Sequence, residues 1–185
     1  MMEFIKKNRV SFSFAVFITL IARDVILGIR PYDPLAFSDT SATLSLLAVI
    51  VGVFLRSWAA GVVRKSETLA CTGPYAFTRH PLYLGSFLVA VGMGYLTGDV
   101  VNLFAVGAVA VIFYHPTIRS EERFLAGKFG KEWEEYCARV WAFFPRSAPR
   151  NVLAQWTFAQ WLRNKEYKLA SAAALGILAM SYFSY

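Results

Sequence analysis

TGPYAFTRHPLYLG, residues 72–85, is the stretch on which the reading of this chain turns. It lies between two long apolar segments and is too polar to belong to either. Gly73-Pro74 sets a turn, because proline fixes its own backbone angle and glycine accepts conformations that other residues avoid. At His80-Pro81 the residue before proline is pushed out of helical geometry, while proline suits the first turn of a helix. A tight loop therefore delivers Tyr75, Arg79 and His80 to the mouth of a helix that starts at Pro81. Tyr83 and Gly85 fall in its opening turns, where unpaired N–H groups and the positive end of the helix dipole favour an anion. An arginine, a histidine and two tyrosines at one helix mouth point to a ligand site.

Working outward, the composition reads as membrane protein. Of the 185 residues, 57% are apolar and 17% charged, far from the balance of a soluble domain. The net charge of +7 does not form the basic stripe that a nucleic acid needs, so no nucleic-acid partner is expected. The basic residues gather at the edges of apolar segments instead. Cys71 and Cys137 stand in polar surroundings with no CxxC spacing, which gives no metal site and reads as two free thiols.

Five apolar runs follow. Val10 to Ile29, interrupted by Arg23-Asp24 and closed by Pro31 and Pro34, lacks a small-residue cleavage site and reads as a retained first span. Ser41 to Val63 is long enough to cross a core of roughly 30 Å. Arg56 lies inside it, and two readings stand: a side chain reaching along the helix to the interface, or a charge turned inward toward an anionic group. Pro81 to Thr97 is a short third helix whose Gly92 and Gly94 allow close packing in lipid. Gly98-Asp99 turns the chain into a fourth helix, Val100 to Ile118, with His115-Pro116 near its end. Between Arg119 and Lys165 the chain is polar but keeps Phe124, Leu125, Phe129, Trp133, Tyr136 and Val140 near helical spacing. Gly127 and Gly130 are expected to divide this stretch into two amphipathic helices at the membrane surface, with Trp156 and Trp161 as interfacial anchors. Residues 167–185 form a fifth run.

The expected fold is thus an all-α integral membrane protein of about five transmembrane helices plus cytoplasmic amphipathic helices, a single domain over residues 1–185. Lys6, Lys7, Arg9, Arg64, Lys65, Arg79 and the nine Lys/Arg of residues 119–165 fall on one side, which the positive-inside rule makes cytoplasmic. The opposite side receives mainly Arg30, Asp33, Asp39 and Asp99.

The pattern GPYxxxRHPxYxG resembles a signature of the isoprenylcysteine carboxyl methyltransferase and phospholipid methyltransferase superfamily. That family's second signature is similar to EERFLAGKFGKEWEEYCARVWAFFP, from Glu121 to Pro145. Together the two cover a core of about residues 71–145. The resemblance implies a multi-pass membrane enzyme that uses S-adenosyl-L-methionine at its cytoplasmic face and methylates a small lipophilic acceptor, by O- or S-methylation of isoprenylcysteine-carboxylate type. It makes Tyr75, His80, Tyr83, Gly85, Glu121 and Glu122 cofactor-binding residues. From the chemistry of the residues rather than the resemblance, Arg79 and Glu121 are the catalytic candidates, and Arg79 or Arg56 is expected to orient an anionic substrate. Glu121 and Glu122 also read as a surface salt-bridge cluster with Arg119 and Arg123, and His80 as a cap on the Pro81 helix. An NADPH-dependent membrane reductase of the sterol-reductase type and a non-catalytic membrane module are the competing readings. The sequence gives no oligomeric state.

Overall fold

The structure, a computed structural model, describes residues 15, 16, 18–64, 67–144 and 156–184. Lys6, Lys7, Arg9, the start of the first expected span, Lys65 and Pro145 lie outside the described residues. Among those described, every regular element is helical. After a helical stretch at residues 18–27 come α1 (Thr40–Val62), a 3-10 turn (Gly73–Ala76), α2 (Pro81–Leu96), α3 (Val100–Phe129), α4 (Lys131–Arg139), α5 (Phe158–Arg163) and α6 (Tyr167–Phe183).

Two of these helices, α1 and α3, are long and apolar enough to cross a membrane; α2 and α6 are apolar but shorter, at 16 and 17 residues. The start of α1 is fixed by Asp39, whose carboxylate accepts from the backbone N–H of Ser41 (2.8 Å) and of Ala42 (3.2 Å). Leu44, Leu47, Val51 and Phe54 are exposed on one face of α1, while Ala42, Leu46 and Val49 are buried on another. A helix apolar on every side belongs in a membrane or a large core, because water would oppose its outer face. On α3, Phe104, Val111 and Ile112 are likewise exposed.

The chain divides into two compact units. The first comprises Met1–Ile50, Phe87–Thr117 and Ala173–Tyr185. Within it, a Cβ on Gly92 would lie 2.6 Å from the carbonyl oxygen of Ser45, so the glycine is what allows α2 to approach α1 there. Gly94 has no such role: its nearest neighbour would be an ordinary 3.4 Å away, so the expected close packing holds at Gly92 alone. The Arg23-Asp24 interruption is paired inside this unit. Arg23 donates to Asp24 and to Asp99, and Asn102 donates to Asp24 and, at 3.0 Å, to Thr97.

The second unit comprises Val51–Ser86 and Ile118–Ala172. Here α5 closes the C-terminal end of α1, whose last carbonyls have no partners within the helix. The Asn164 amide donates to the carbonyls of Ala60 (2.7 Å) and Val63 (3.1 Å), and Gln160 donates to Val63 (2.7 Å). The Trp156 indole donates to Ser57 at 3.1 Å. Trp133, Tyr136 and Val140 form a buried cluster against which Leu69, Leu125, Phe129, Cys71 and Cys137 pack.

The expected break after Ile118 is absent. Helix α3, 30 residues long, runs through Pro116 and Gly127 and ends at Phe129, so Gly130 divides the stretch as expected but Gly127 does not. Proline removes one donor from the ladder. At the next residue the Thr117 hydroxyl donates to the Phe113 carbonyl at 2.6 Å. Beyond it, Arg, Glu, Leu, Ala and Lys are strong helix formers and carry the helix on. Only Gly130, at φ 49°, breaks it.

Candidate functional site

The loop that opens the site is held by its own backbone. Tyr75 N–H donates to Thr72 (3.2 Å), and Phe77 and Thr78 N–H both donate to Pro74 (3.2 Å each). Arg79 and His80 then face the segment that leaves α4. Arg79 N–H donates to the Trp141 carbonyl (3.0 Å), His80 N–H to Ala142 (3.3 Å), and the Thr78 hydroxyl to Ala142 (2.6 Å). The Arg79 side chain adds a bond to the Val140 carbonyl at 3.2 Å. The two stretches singled out in the sequence are thereby joined.

Glu122 supplies the centre. One carboxylate oxygen accepts from Arg79 Nη2 at 2.8 Å and from His80 Nε2 at 3.0 Å. An ionised carboxylate only accepts, so the tautomer is assigned with the proton on Nε2. His80 is 3% exposed, whereas the Glu122 side chain keeps 28% of its surface open. Glu122 lies four residues beyond the apolar stretch of α3. Burial alone would raise its carboxyl, but the hydrogen bonds and charges of His80 and Arg79 hold it below its ordinary value. The Arg79 guanidinium sits 5.8 Å from the Trp133 ring centre. Its Nε is buried and has no hydrogen-bond partner among the described residues. The His80 ring stands 5.8 Å from Tyr83 and 6.0 Å from Phe143.

Tyr75 is buried, and its carbonyl accepts from the Tyr136 hydroxyl at 2.7 Å. Burial, then the nearby charge of Glu121, pushes its phenol well above the usual range. Glu121 itself is exposed, and its side chain is in none of the ion pairs found among the described residues. Gly85 has a packing reason: a Cβ there would lie 2.7 Å from the Gly52 carbonyl oxygen and 2.6 Å from Arg56 Cγ.

Of the two readings of Arg56, the structure has the inward one, but the group that Arg56 meets is the protein's own. Its Nε and Nη2 donate to the two oxygens of Glu166 at 2.6 and 2.9 Å, and Nη1 donates to the Leu82 carbonyl (3.1 Å) and to Ser86. Every guanidinium nitrogen is engaged, which leaves no free fork for a substrate anion. Burial, followed by the Glu132 charge, lifts the Cys71 thiol to about 11. Among the described residues no three His, Cys, Asp or Glu side chains gather as metal ligands would.

Four participants were not foreseen in these roles. Glu166 occupies Arg56, Trp133 lies under Arg79, Phe143 flanks His80, and Thr78 fastens the loop. Trp133 belonged to an apolar stripe that periodicity alone reads as packing. Glu166 carried no local signal.

The profile of the phospholipid methyltransferase family matches residues 42–132. The cobalt-zinc-cadmium resistance protein CzcN of Cupriavidus metallidurans is 32% identical over 157 residues, covering 84% of this chain and 72% of that protein. The nickel-cobalt-cadmium resistance protein NccN of Alcaligenes xylosoxydans xylosoxydans is 34% identical, covering 78% and 68%. The protein-S-isoprenylcysteine O-methyltransferase of Saccharomyces cerevisiae is 30% identical over 152 residues, covering 76% and 64%. No solved structure matches the chain. Two motifs, a helical fold with apolar outer faces and these relatives agree: the chain belongs to the isoprenylcysteine carboxyl methyltransferase and phospholipid methyltransferase superfamily of membrane methyltransferases.

Proposed function

We propose that this chain is a multi-pass membrane methyltransferase that takes its methyl group from S-adenosylmethionine and passes it to a small lipophilic acceptor. The observation that carries this reading is the convergence of Arg79 and His80 on Glu122. The residues present fit such a cofactor. The Arg79 guanidinium offers positive charge to the methionyl carboxylate, and the exposed Glu121 offers acceptors for ribose hydroxyls. Tyr83 and Phe143, both beside His80, offer ring surface to an adenine. Bound there, the cofactor supplies an electrophilic methyl on a sulfonium, a leaving group that needs no acid.

The work left to the protein is alignment and exclusion of water. Glu122 holds Arg79 and His80 in one orientation, and the Trp133 ring covers one side of the guanidinium. With Arg56 paired to Glu166, the positive charge left to attract an anionic acceptor is that of Arg79, shared with the carboxylate of the cofactor. A carboxylate or thiolate acceptor brings its own lone pair and requires no base; an amine or phenol would call on Glu121 or His80. We favour the anionic acceptor.

The reading includes one domain over residues 1–185, five spans and a site at the cytoplasmic face. The apolar lengths of α1 and α3, the shorter apolar α2 and α6, and the helical stretch at residues 18–27 support the count. The experiment that tests the function is calorimetric titration of the detergent-solubilised protein with S-adenosylhomocysteine and, separately, NADPH. Binding of the first alone agrees with the proposal. Binding of NADPH alone would replace it with the reductase reading.

A further inference from the structure

Toward its C-terminal end α1 carries a groove of about 330 Å³, at the small end of the range for ligand pockets. Phe54, Ser57, Trp58 and Trp156 line it. The walls are fixed by the protein itself. A Cβ on Gly61 would collide with the Trp156 ring, so the glycine is what lets the indole lie on α1. That indole donates to the Ser57 carbonyl at 3.1 Å, and the next residue, Thr157, donates its N–H to the Gly61 carbonyl at 3.0 Å. Trp58 is tilted against Phe54 and edge-on to Phe77, with ring centres 6.3 and 6.2 Å away. With its N–H spent on Ser57, Trp156 turns only ring surface to the groove, and such walls call for hydrocarbon.

Beyond the groove the chemistry changes. From Phe54 to the last residue of α1, Val62, is about 12 Å along the axis, and Arg64 comes two residues later. Gln160 and Asn164, which close this helix end, bring Arg163 and Lys165 with them. Arg64, Arg163 and Lys165 are all exposed. Glu67 is the exposed acid beside them, 3.5 Å from Arg163, whereas Glu166 is buried against Arg56 and adds no free charge. The excess is positive. An apolar trough along a helix, followed at the helix end by cations, has the order of a lipid, chain and then head. A zwitterionic head would set its ammonium against the same cations, so the head that fits is an anionic phosphate diester.

We propose that this groove and the basic residues beyond it bind one anionic glycerophospholipid of the surrounding bilayer. An acyl chain lies against Phe54, Trp58 and Trp156, and the phosphate meets Arg64, Arg163 and Lys165. The site is separate from methyl transfer, since no residue assigned to the cofactor or the acceptor takes part in it.

The test uses the full-length protein in detergent with phosphatidylglycerol as probe. Phosphatidylcholine of the same acyl chains is the zwitterionic control, and inorganic phosphate the chainless one. Native mass spectrometry reads stoichiometry, and melting temperature reads affinity. One phosphatidylglycerol per chain is expected, with a rise in melting temperature that shrinks as NaCl goes from about 50 to 500 mM. Arg163→Gln and Lys165→Gln should weaken binding by about fivefold per charge removed. Ser57→Phe, which fills the groove from α1, should abolish it. Equal binding of the two phospholipids by the unmodified protein overturns the proposal, and that comparison needs no variant to fold. Inorganic phosphate reproducing the whole rise, or undiminished phosphatidylglycerol binding in Ser57→Phe, overturns it too.

Discussion

Arg56 and Glu166 close on each other as a two-pronged ion pair across 110 residues of sequence, at 2.6 and 2.9 Å. The glutamate is 4% exposed, and the arginine reaches from α1 past it to the Leu82 carbonyl at the start of α2. The pair thus ties the entry of α6 to the two helices that carry the His80 loop. Removing one partner of a buried pair costs about 3–5 kcal/mol, because the other charge is stranded. Glu166→Ala should therefore lower the melting temperature sharply, while Arg56→Met combined with Glu166→Leu should recover much of the loss. Additive losses in the double variant would show that the two side chains are not coupled.

At the candidate site, Glu122→Gln and His80→Ala should each weaken S-adenosylhomocysteine binding by about 10- to 150-fold, equivalent to about 1.5–3 kcal/mol for a lost charged contact. Circular dichroism must report an intact helix content alongside. Wild-type affinity in both variants, measured by calorimetry, would remove Glu122 as the organiser of the site.

Glu122 also gives the protein an acid-sensitive element. Its carboxyl titrates below its ordinary value of 4.5 in the fold, so the stability it contributes is present above that value. It is lost as the pH falls through the lower, folded value. Melting temperatures taken from pH 7 down to pH 3 should fall in wild type in this range. Glu122→Gln should show a smaller fall. Identical profiles would place the acid sensitivity elsewhere.

Gly85→Ala forces a methyl to within 2.7 Å of a main-chain oxygen that cannot rotate away, whereas Gly94→Ala meets only ordinary contacts. The first should destabilise by about 1–3 kcal/mol and the second very little. A thermal melt of both settles the contrast. Equal effects would mean that α1 and α2 are not in close contact at Gly85.

The proposed topology puts Asp99 and Lys131 on opposite sides of the membrane. Cysteines introduced at these positions, in a background lacking Cys71 and Cys137, should react with a membrane-impermeant maleimide from opposite faces of sealed vesicles. Labelling from the same face would overturn the five-span arrangement.

That Arg79, His80 and Glu122 come together was legible in part, because a Gly-Pro turn, a His-Pro boundary and a charged pair at the end of an apolar run are local signals; Glu121, named with them, stands exposed outside the cluster. Glu166 was not legible, since nothing near Trp161 or Tyr167 announces a partner in α1. The end of α3 was misread for a physical reason: the apolar run stops at Ile118, but the strong helix formers beyond it carry the helix on to Phe129. A change from apolar to polar sequence reads as the end of a span, and only the geometry shows the helix continuing. Asn102 carried no signal in the sequence. Its importance depends on Asp24, 78 residues earlier.

On the side of residues 140–142, the clasp that receives Thr78, Arg79 and His80 consists wholly of carbonyl oxygens. A contact written in peptide groups takes no notice of which letter stands at a position and registers only how many there are. The Ala142 carbonyl would serve equally from another residue. One residue inserted or deleted between Arg139 and Trp141 would slide each carbonyl past its donor and pull Arg79 off Glu122. The segment acts as a ruler, and selection on it should fall on length rather than spelling. Chimaeras that keep the count and discard the letters should keep Arg79 against Glu122.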